Sequence, residues 1–287
     1  MDLCDVPFCL DVTLCCGQVF RWSKFGEWWY GVVRDKVFKV RQVGAKFDYA
    51  NVDSKFVENY FSLDDDMQKI MGSIGKDAHI RKAIKEYWGL RLIRQDPWEC
   101  LISYICATYK NIAAIKHMLN NLSRKFGKMV SFDGLDFYTF PTCHDFANST
   151  EADLLACGLG YRAKYVLETS KKFCTSSFNF ETLKNLSYVE AKKALLEFSG
   201  GGMKVADCVL LFSLSKMEAF PVDVWIKRVL FNHYSKRLPK DLLKKLSVNG
   251  SLSNADYENL NAFGRSYFGE YAGYAQEYLY HYERIAT

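Results

Sequence analysis

The sequence predicts an α+β protein: a small β-containing N-terminal region followed by a larger all-helical region. Three observations predict it. Between residues 18 and 45, aromatic and β-branched residues cluster around polar turns, as in strands. From residue 96 onward, apolar residues recur at three- and four-residue spacing, the period of helices. Only 5 prolines interrupt the 287 residues, which leaves room for long helices. The expected division is a β-rich domain over 1–88 and a helical domain over 89–287.

Each element has a local signature. Trp28-Trp29-Tyr30-Gly31-Val32-Val33, a turn at Arg34-Asp35-Lys36, and Val37-Phe38-Lys39-Val40-Arg41 read as a hairpin. Residues 53–62 and 77–90 read as helices capped by Asp53 and Asp77. Asp96-Pro97-Trp98-Glu99 places an acidic N-cap, a proline at the first helical position and a glutamate at the third. Trp98, Leu101, Ile102, Ile105 and Cys106 then follow at helical spacing. Ser187-Tyr188-Val189-Glu190 is a second capping box, opening a helix to about Phe198. There is no internal repeat and no low-complexity segment.

Composition excludes several classes. With 49% apolar and 16% aromatic residues the chain is not disordered. No uninterrupted apolar run reaches the length of a membrane span, so no membrane association is expected. Met1-Asp2-Leu3-Cys4-Asp5 is acidic, unlike a secretory or mitochondrial leader. The 10 cysteines include no C-x-x-C pair, so reduced thiols and an intracellular protein are expected, with neither metal nor cofactor. The formal net charge of +5 suits weak polyanion affinity, and solvated helix faces would look the same.

The sharpest local feature is Phe198-Ser199-Gly200-Gly201-Gly202-Met203-Lys204-Val205. A capped helix ends, three glycines follow, and a new helix starts. The bare N–H groups at that helix start can hold a phosphate; a plain C-cap glycine is the alternative. Lys204 falls in the first turn, where the helix dipole disfavours a cation. Burial there favours the neutral amine, a nucleophile toward carbon. A surface lysine reaching into water is the competing reading. Nineteen residues on, in Phe220-Pro221-Val222-Asp223, the aspartate occupies a helix N-cap position. It is either a cap alone or a carboxylate facing developing positive charge.

Together these residues resemble the helix–hairpin–helix DNA glycosylases. The signature of that superfamily is a Gly-rich hairpin, a lysine after it and a Pro-Val-Asp segment about twenty residues on. Four further segments narrow the resemblance to the 8-oxoguanine DNA glycosylase branch. They are Cys16-Gly17-Gln18-Val19-Phe20-Arg21-Trp22, Arg94-Gln95-Asp96-Pro97, Leu159-Gly160-Tyr161-Arg162-Ala163 and Gly269-Glu270-Tyr271-Ala272-Gly273-Tyr274-Ala275-Gln276. The implied fold is a twisted antiparallel β-domain packed on a helical domain, with the helix–hairpin–helix at about 187–216. No iron–sulfur cluster is implied, because no cysteine follows Cys208.

The resemblance implies a base-excision-repair enzyme that extrudes 8-oxoguanine from duplex DNA and cuts the strand as an AP lyase. Lys204 attacks C1′ and forms a Schiff base, while Asp223 stabilises the oxocarbenium-like charge. The Gly17 carbonyl detects the N7–H that oxidation creates. Gln276 reads the Watson–Crick edge, and Tyr280 and Cys208 sandwich the base. Gly200 and Gly202 anchor a phosphate. Tyr161 is the wedge, Arg162 faces the opposite base, and Tyr109 and Asn111 lie at the vacated stack.

Three departures from the family pattern stand out. Ser199 and Gly201 replace a more rigid hairpin. Tyr109 replaces an asparagine. Ala114 stands where the animal enzymes carry a cytosine-reading arginine, so opposite-base preference is expected to relax. Trp225 occupies the place of a phosphate-binding histidine, leaving Lys227 and Arg228 as candidates for flanking phosphates. The implied partner is double-stranded DNA containing 8-oxoguanine. The chain is expected to act as a monomer, in the nucleus or cytoplasm according to where the chromosome lies. Two other readings remain. A monofunctional alkylbase glycosylase lacks the lysine of the hairpin, and a non-catalytic helix–hairpin–helix module leaves Asp223, Gln276 and Gly17 unexplained.

Overall fold

A computed structural model describes residues 1–246 and 252–286. A short helix α1 (Leu10–Cys15) precedes four strands, β1 (Trp22–Phe25), β2 (Trp28–Val33), β3 (Lys36–Val43) and β4 (Lys46–Ala50). Helices α2 (Ser54–Tyr60), α3 (Met67–Ile74) and α4 (Ala78–Glu86) follow, then α5 (Pro97–Ala107) and α6 (Ile112–Phe126). Strands β5 (Met129–Phe132) and β6 (Leu135–Tyr138) lead to α7 (Cys143–Ala147), α8 (Glu151–Ala156) and α9 (Arg162–Thr175). The chain continues through α10 (Phe180–Asn185), α11 (Tyr188–Leu196), α12 (Met203–Leu214) and α13 (Val224–Tyr234). It closes with α14 (Lys240–Leu246), α15 (Asn254–Phe268) and α16 (Ala272–Ala286).

The expected hairpin is β2–β3, antiparallel, with Val33 opposite Lys36 and Val32 opposite Val37. It is the centre of a four-stranded meander in the order β1-β2-β3-β4. Trp22 on β1 needs Gly31 opposite it. A Cβ at Gly31 would come within 2.5 Å of the indole ring, so only glycine lets the ring cross the sheet face. Behind the sheet, Phe8, Phe38, Phe47 and Phe61 form a small aromatic core.

The helix starts obey the expected caps. Asp53, Asp77 and Asp96 accept N–H bonds at α2, α4 and α5, and Ser187 with Glu190 closes a full capping box on α11. Glu99 does something else. It pairs with Arg21 at 3.0 Å, and Arg21 also donates to the Tyr138 carbonyl. Burial pushes the Glu99 carboxyl up to about 7, against the pull of Arg21. That pair ties the segment after α1 to the helical region.

The expectation of an all-helical region after residue 89 needs one correction. Strands β5 and β6 form a second antiparallel hairpin. Its turn is Asp133-Gly134, both at positive φ, the conformation that an Asp-Gly hairpin turn requires. Asp133 accepts bonds from Tyr30 and Lys39, so the hairpin braces the main sheet. Apolar packing also crosses the 88/89 boundary: Ile70, Ile74 and Ile80 of α3 and α4 belong to the larger core. Helices α3 and α4 lie against α16, while α5 and α11 flank α12. Among the described residues no helix is long and apolar enough to cross a membrane.

Candidate active site

The glycine hairpin sits between α11 and α12 as expected. Gly200 has φ +76°, which favours glycine, and a Cβ there would press Tyr165 Cβ at 2.9 Å. At Gly201 a Cβ would meet the carbonyl oxygens of Leu195 and Phe198 at 2.6 and 2.8 Å. The turn is held by the Gly201 N–H donating to Phe198 O at 2.9 Å and by Thr169 Oγ1 donating to Ser199 O at 2.7 Å. Gly202 is the N-cap of α12, and no side chain caps that end. Its leading N–H groups are therefore open to an anion.

Lys204 lies in the first turn of α12 and is half-buried. Asp223 is the N-cap of α13, where Oδ1 accepts from the N–H groups of Trp225 and Ile226 at 3.0 and 2.9 Å. Both residues line one cavity of about 640 Å³ between the hairpin, α16 and the loop after α1. The same cavity is lined by Gly17, Cys208, Gln276, Tyr280, Gly200, Gly202, Tyr109 and Asn111. Cys208 is one helical turn from Lys204 and buried, and burial holds its thiol well above the usual thiol range.

The end of the cavity beside Gly17 is tightly built. Gly17 has φ +108°, and a Cβ there would meet the Tyr280 ring at 3.2 Å. Gln18 fixes this loop from behind. Its Nε2 donates to Arg91 O at 2.8 Å, and its Oε1 accepts from the Ile93 N–H at 2.7 Å. Its carbonyl accepts from Gln95 Nε2 at 2.7 Å and from the Tyr104 hydroxyl at 3.2 Å. Gln18 belongs to the motif around Gly17, but its burial, 1% exposed, is what reveals the positioning role. Gln276 is 4% exposed, and its Oε1 has no partner. An orphaned buried acceptor costs free energy unless a ligand supplies the donor.

Two expected residues do not reach the cavity. Tyr161 is exposed at the start of α9. Arg162 is 2% exposed and turned inward, donating to the carbonyls of Thr108 and Leu159. One of those acceptors, Thr108, is the C-cap of α5, so the end of that helix gains a donor from Arg162. Its guanidinium stacks on the Tyr161 ring at 4.3 Å rather than reaching outward. Asn111 caps α6, accepting from the Ala114 N–H at 2.8 Å, so its oxygen is already engaged. Tyr109 sits at the cavity mouth, 82% exposed, with φ +53°. A bulky residue in that region of backbone space is strained.

A polar cluster behind the lysine was not expected from the sequence. Asp207 is fully buried and accepts from Tyr257 Oη at 2.6 Å, Asn261 Nδ2 at 3.0 Å and the Tyr188 hydroxyl. Lys192 pairs with it at 3.1 Å. The cluster locks α11, α12 and α15 together, and so fixes the hairpin. Its sequence signal is a charged residue in the middle of a helix that is apolar after its first turn.

Residues 3–101 match the family described as 8-oxoguanine DNA glycosylase, N-terminal domain. Residues 102–249 match the HhH-GPD superfamily base excision DNA repair protein family. The chain is 30% identical to the N-glycosylase/DNA lyase of Saccharomyces cerevisiae, covering 95% of this chain and 82% of that one. It is 31% identical to a probable N-glycosylase/DNA lyase of Methanothermobacter thermautotrophicus, over 79% of this chain and 74% of the other. The solved 8-oxoguanine glycosylase/lyase of Clostridium acetobutylicum, bound to double-stranded DNA with cytosine opposite 8-oxoG, superposes with TM-score 0.85. That pair shares 33% identity over 97% of this chain and 92% of the other. The chain belongs to the 8-oxoguanine DNA glycosylase family, within the HhH-GPD superfamily of base excision DNA repair proteins.

Proposed function

We propose that the protein is a bifunctional DNA glycosylase that excises 8-oxoguanine from duplex DNA and then cleaves the strand. The observation that carries the reading is one cavity lined by an amine, a carboxylate and an orphaned amide oxygen: Lys204, Asp223 and Gln276. The extruded nucleotide enters this cavity. The Lys204 amine attacks C1′ as the bond to N9 breaks, and the electron pair leaves with the base. Asp223, one oxygen already held by backbone N–H groups, stabilises the positive charge on the sugar. Ring opening gives a Schiff base, and β-elimination cuts the strand on the 3′ side.

Recognition rests on acceptors. The Gly17 carbonyl takes the N7–H that only the oxidised base carries, and guanine would leave that acceptor unpaired. Gln276 Oε1 takes donors of the Watson–Crick edge. Tyr280 and Cys208 hold the ring faces. The open N–H groups at Gly202 and beyond bind a backbone phosphate. Tyr161 enters the duplex as the wedge, and Tyr109 stacks into the space the base vacates. With Ala114 where a second arginine would read cytosine, the opposite base is weakly selected. Lys227 and Arg228 are candidates for flanking phosphates. The protein works as a monomer on chromosomal DNA.

The test is release of the free base and a nicked strand from a duplex carrying a single 8-oxoguanine. Release with nicking is expected; binding without release would overturn the reading, and release without nicking would remove its lyase half.

A further inference from the structure

A buried carboxyl group of the cavity takes no part in the steps above. Glu277 follows Gln276 on α16, is 2% exposed and still lines the cavity. Its carboxyl meets the Cys16 thiol, next to Gly17, while its Oε1 has no partner. The ionisable groups around it come from every neighbouring element. Asp223 at the start of α13 opposes its ionisation, and Arg284 on α16 favours it. Cys208 on α12, Tyr104 on α5 and Tyr280 on α16 lie within its field, and burial keeps all three neutral. Lys204 lines the same cavity. Burial outweighs the rest and pushes the Glu277 carboxyl up to about 7.

The chemistry of the lesion gives this group a use. Gly17 and Gln276 offer acceptors to the N–H groups of 8-oxoguanine. The base also carries two carbonyl oxygens, which need donors, and negative charge gathers on them as the glycosidic bond breaks. An ionised Glu277 would repel those oxygens; a protonated one would donate to them.

We propose that Glu277 contacts the extruded base and donates its carboxyl proton to a ring carbonyl oxygen of the oxopurine. The inference rests on the glycosylase reading. As the C1′–N9 bond breaks, its electron pair spreads onto the base. The Glu277 proton moves to the charged oxygen, leaving a neutral base and a carboxylate. The lysine lone pair forms the new bond at C1′.

The experiment is the pH profile of single-turnover base release at subsaturating protein. For the unaltered protein the rate falls above about pH 7, by up to about tenfold per pH unit. Glu277→Gln keeps a donor without a charge, so its falling limb vanishes, and below pH 7 its rate stays within about threefold of the unaltered protein. Glu277→Leu loses about tenfold or more at pH 6. All three proteins bind a duplex carrying a tetrahydrofuran site, which has no base, equally well. A falling limb that persists in Glu277→Gln would overturn the inference. So would a leucine variant that weakens on the base-free duplex as much as on the lesion, since that is a purely structural effect. No base release by the unaltered protein at any pH would overturn the glycosylase reading and this inference with it.

Discussion

The buried wall of the cavity differs from its exposed rim. On the wall, Gln276 and Cys208 are buried, and the Gly17 loop is fixed from behind by the bonds of Gln18. On the rim, Tyr109 is 82% exposed and Tyr161 is 54% exposed. Arg162, at the rim in sequence, is turned into the protein. The wall is preorganised, so a base entering as proposed would meet it with little reorganisation. On the proposed function, the exposed tyrosines of the rim find their partners on the DNA. On the proposed function, the difference means that a fixed surface reads the base while adaptable groups meet the strand.

Three substitutions and one comparison of substrates break or sharpen that contrast. The largest effect belongs to the support of the wall. Asp207→Ala takes the buried acceptor from Tyr188, Tyr257 and Asn261 and leaves Lys192 paired with Glu258, and should cost about 3–5 kcal/mol of stability, read by urea unfolding. A loss below about 1 kcal/mol would mean that the cluster does not hold the helices together. Next, Asp223→Asn keeps the helix cap, because asparagine caps as well as aspartate. Base release should nonetheless fall by about 10²–10³-fold with melting temperature unchanged. Third, Gln276→Ala removes one buried polar contact and should weaken lesion binding by about 1–3 kcal/mol, while binding to a base-free duplex stays the same. The smallest effect is on the rim. Excision opposite C, A, G and T should differ by less than about 1 kcal/mol in rate terms, since one well-placed bidentate base contact supplies about 1–3 kcal/mol. A strong cytosine preference would show that Arg162 leaves its buried site on DNA.

Much of the site was legible in the sequence because its residues are odd where they stand. A lysine in the first turn of a helix, three consecutive glycines and an N-cap aspartate after Pro-Val are each locally unusual, and their spacing joins them. The main β hairpin and the helix caps were legible for the opposite reason: local propensity and tertiary structure agree there. The β5–β6 hairpin carried a readable Asp-Gly turn, but its strands are only four residues each, beneath a dominant helical period. Glu277 was invisible because a glutamate inside a C-terminal helix reads as solvated surface, whereas tertiary packing buries it beside Cys16. The inward turn of Arg162 depends on the end of α5, more than fifty residues away, which no local pattern encodes.

The most direct test of Lys204 as nucleophile is reduction with borohydride during reaction with an 8-oxoguanine duplex, followed by peptide mapping of the adduct. The account predicts a covalent protein–DNA species with the deoxyribose on Lys204, absent in Lys204→Gln. An adduct mapped to another amine, or one that persists in Lys204→Gln, would contradict it.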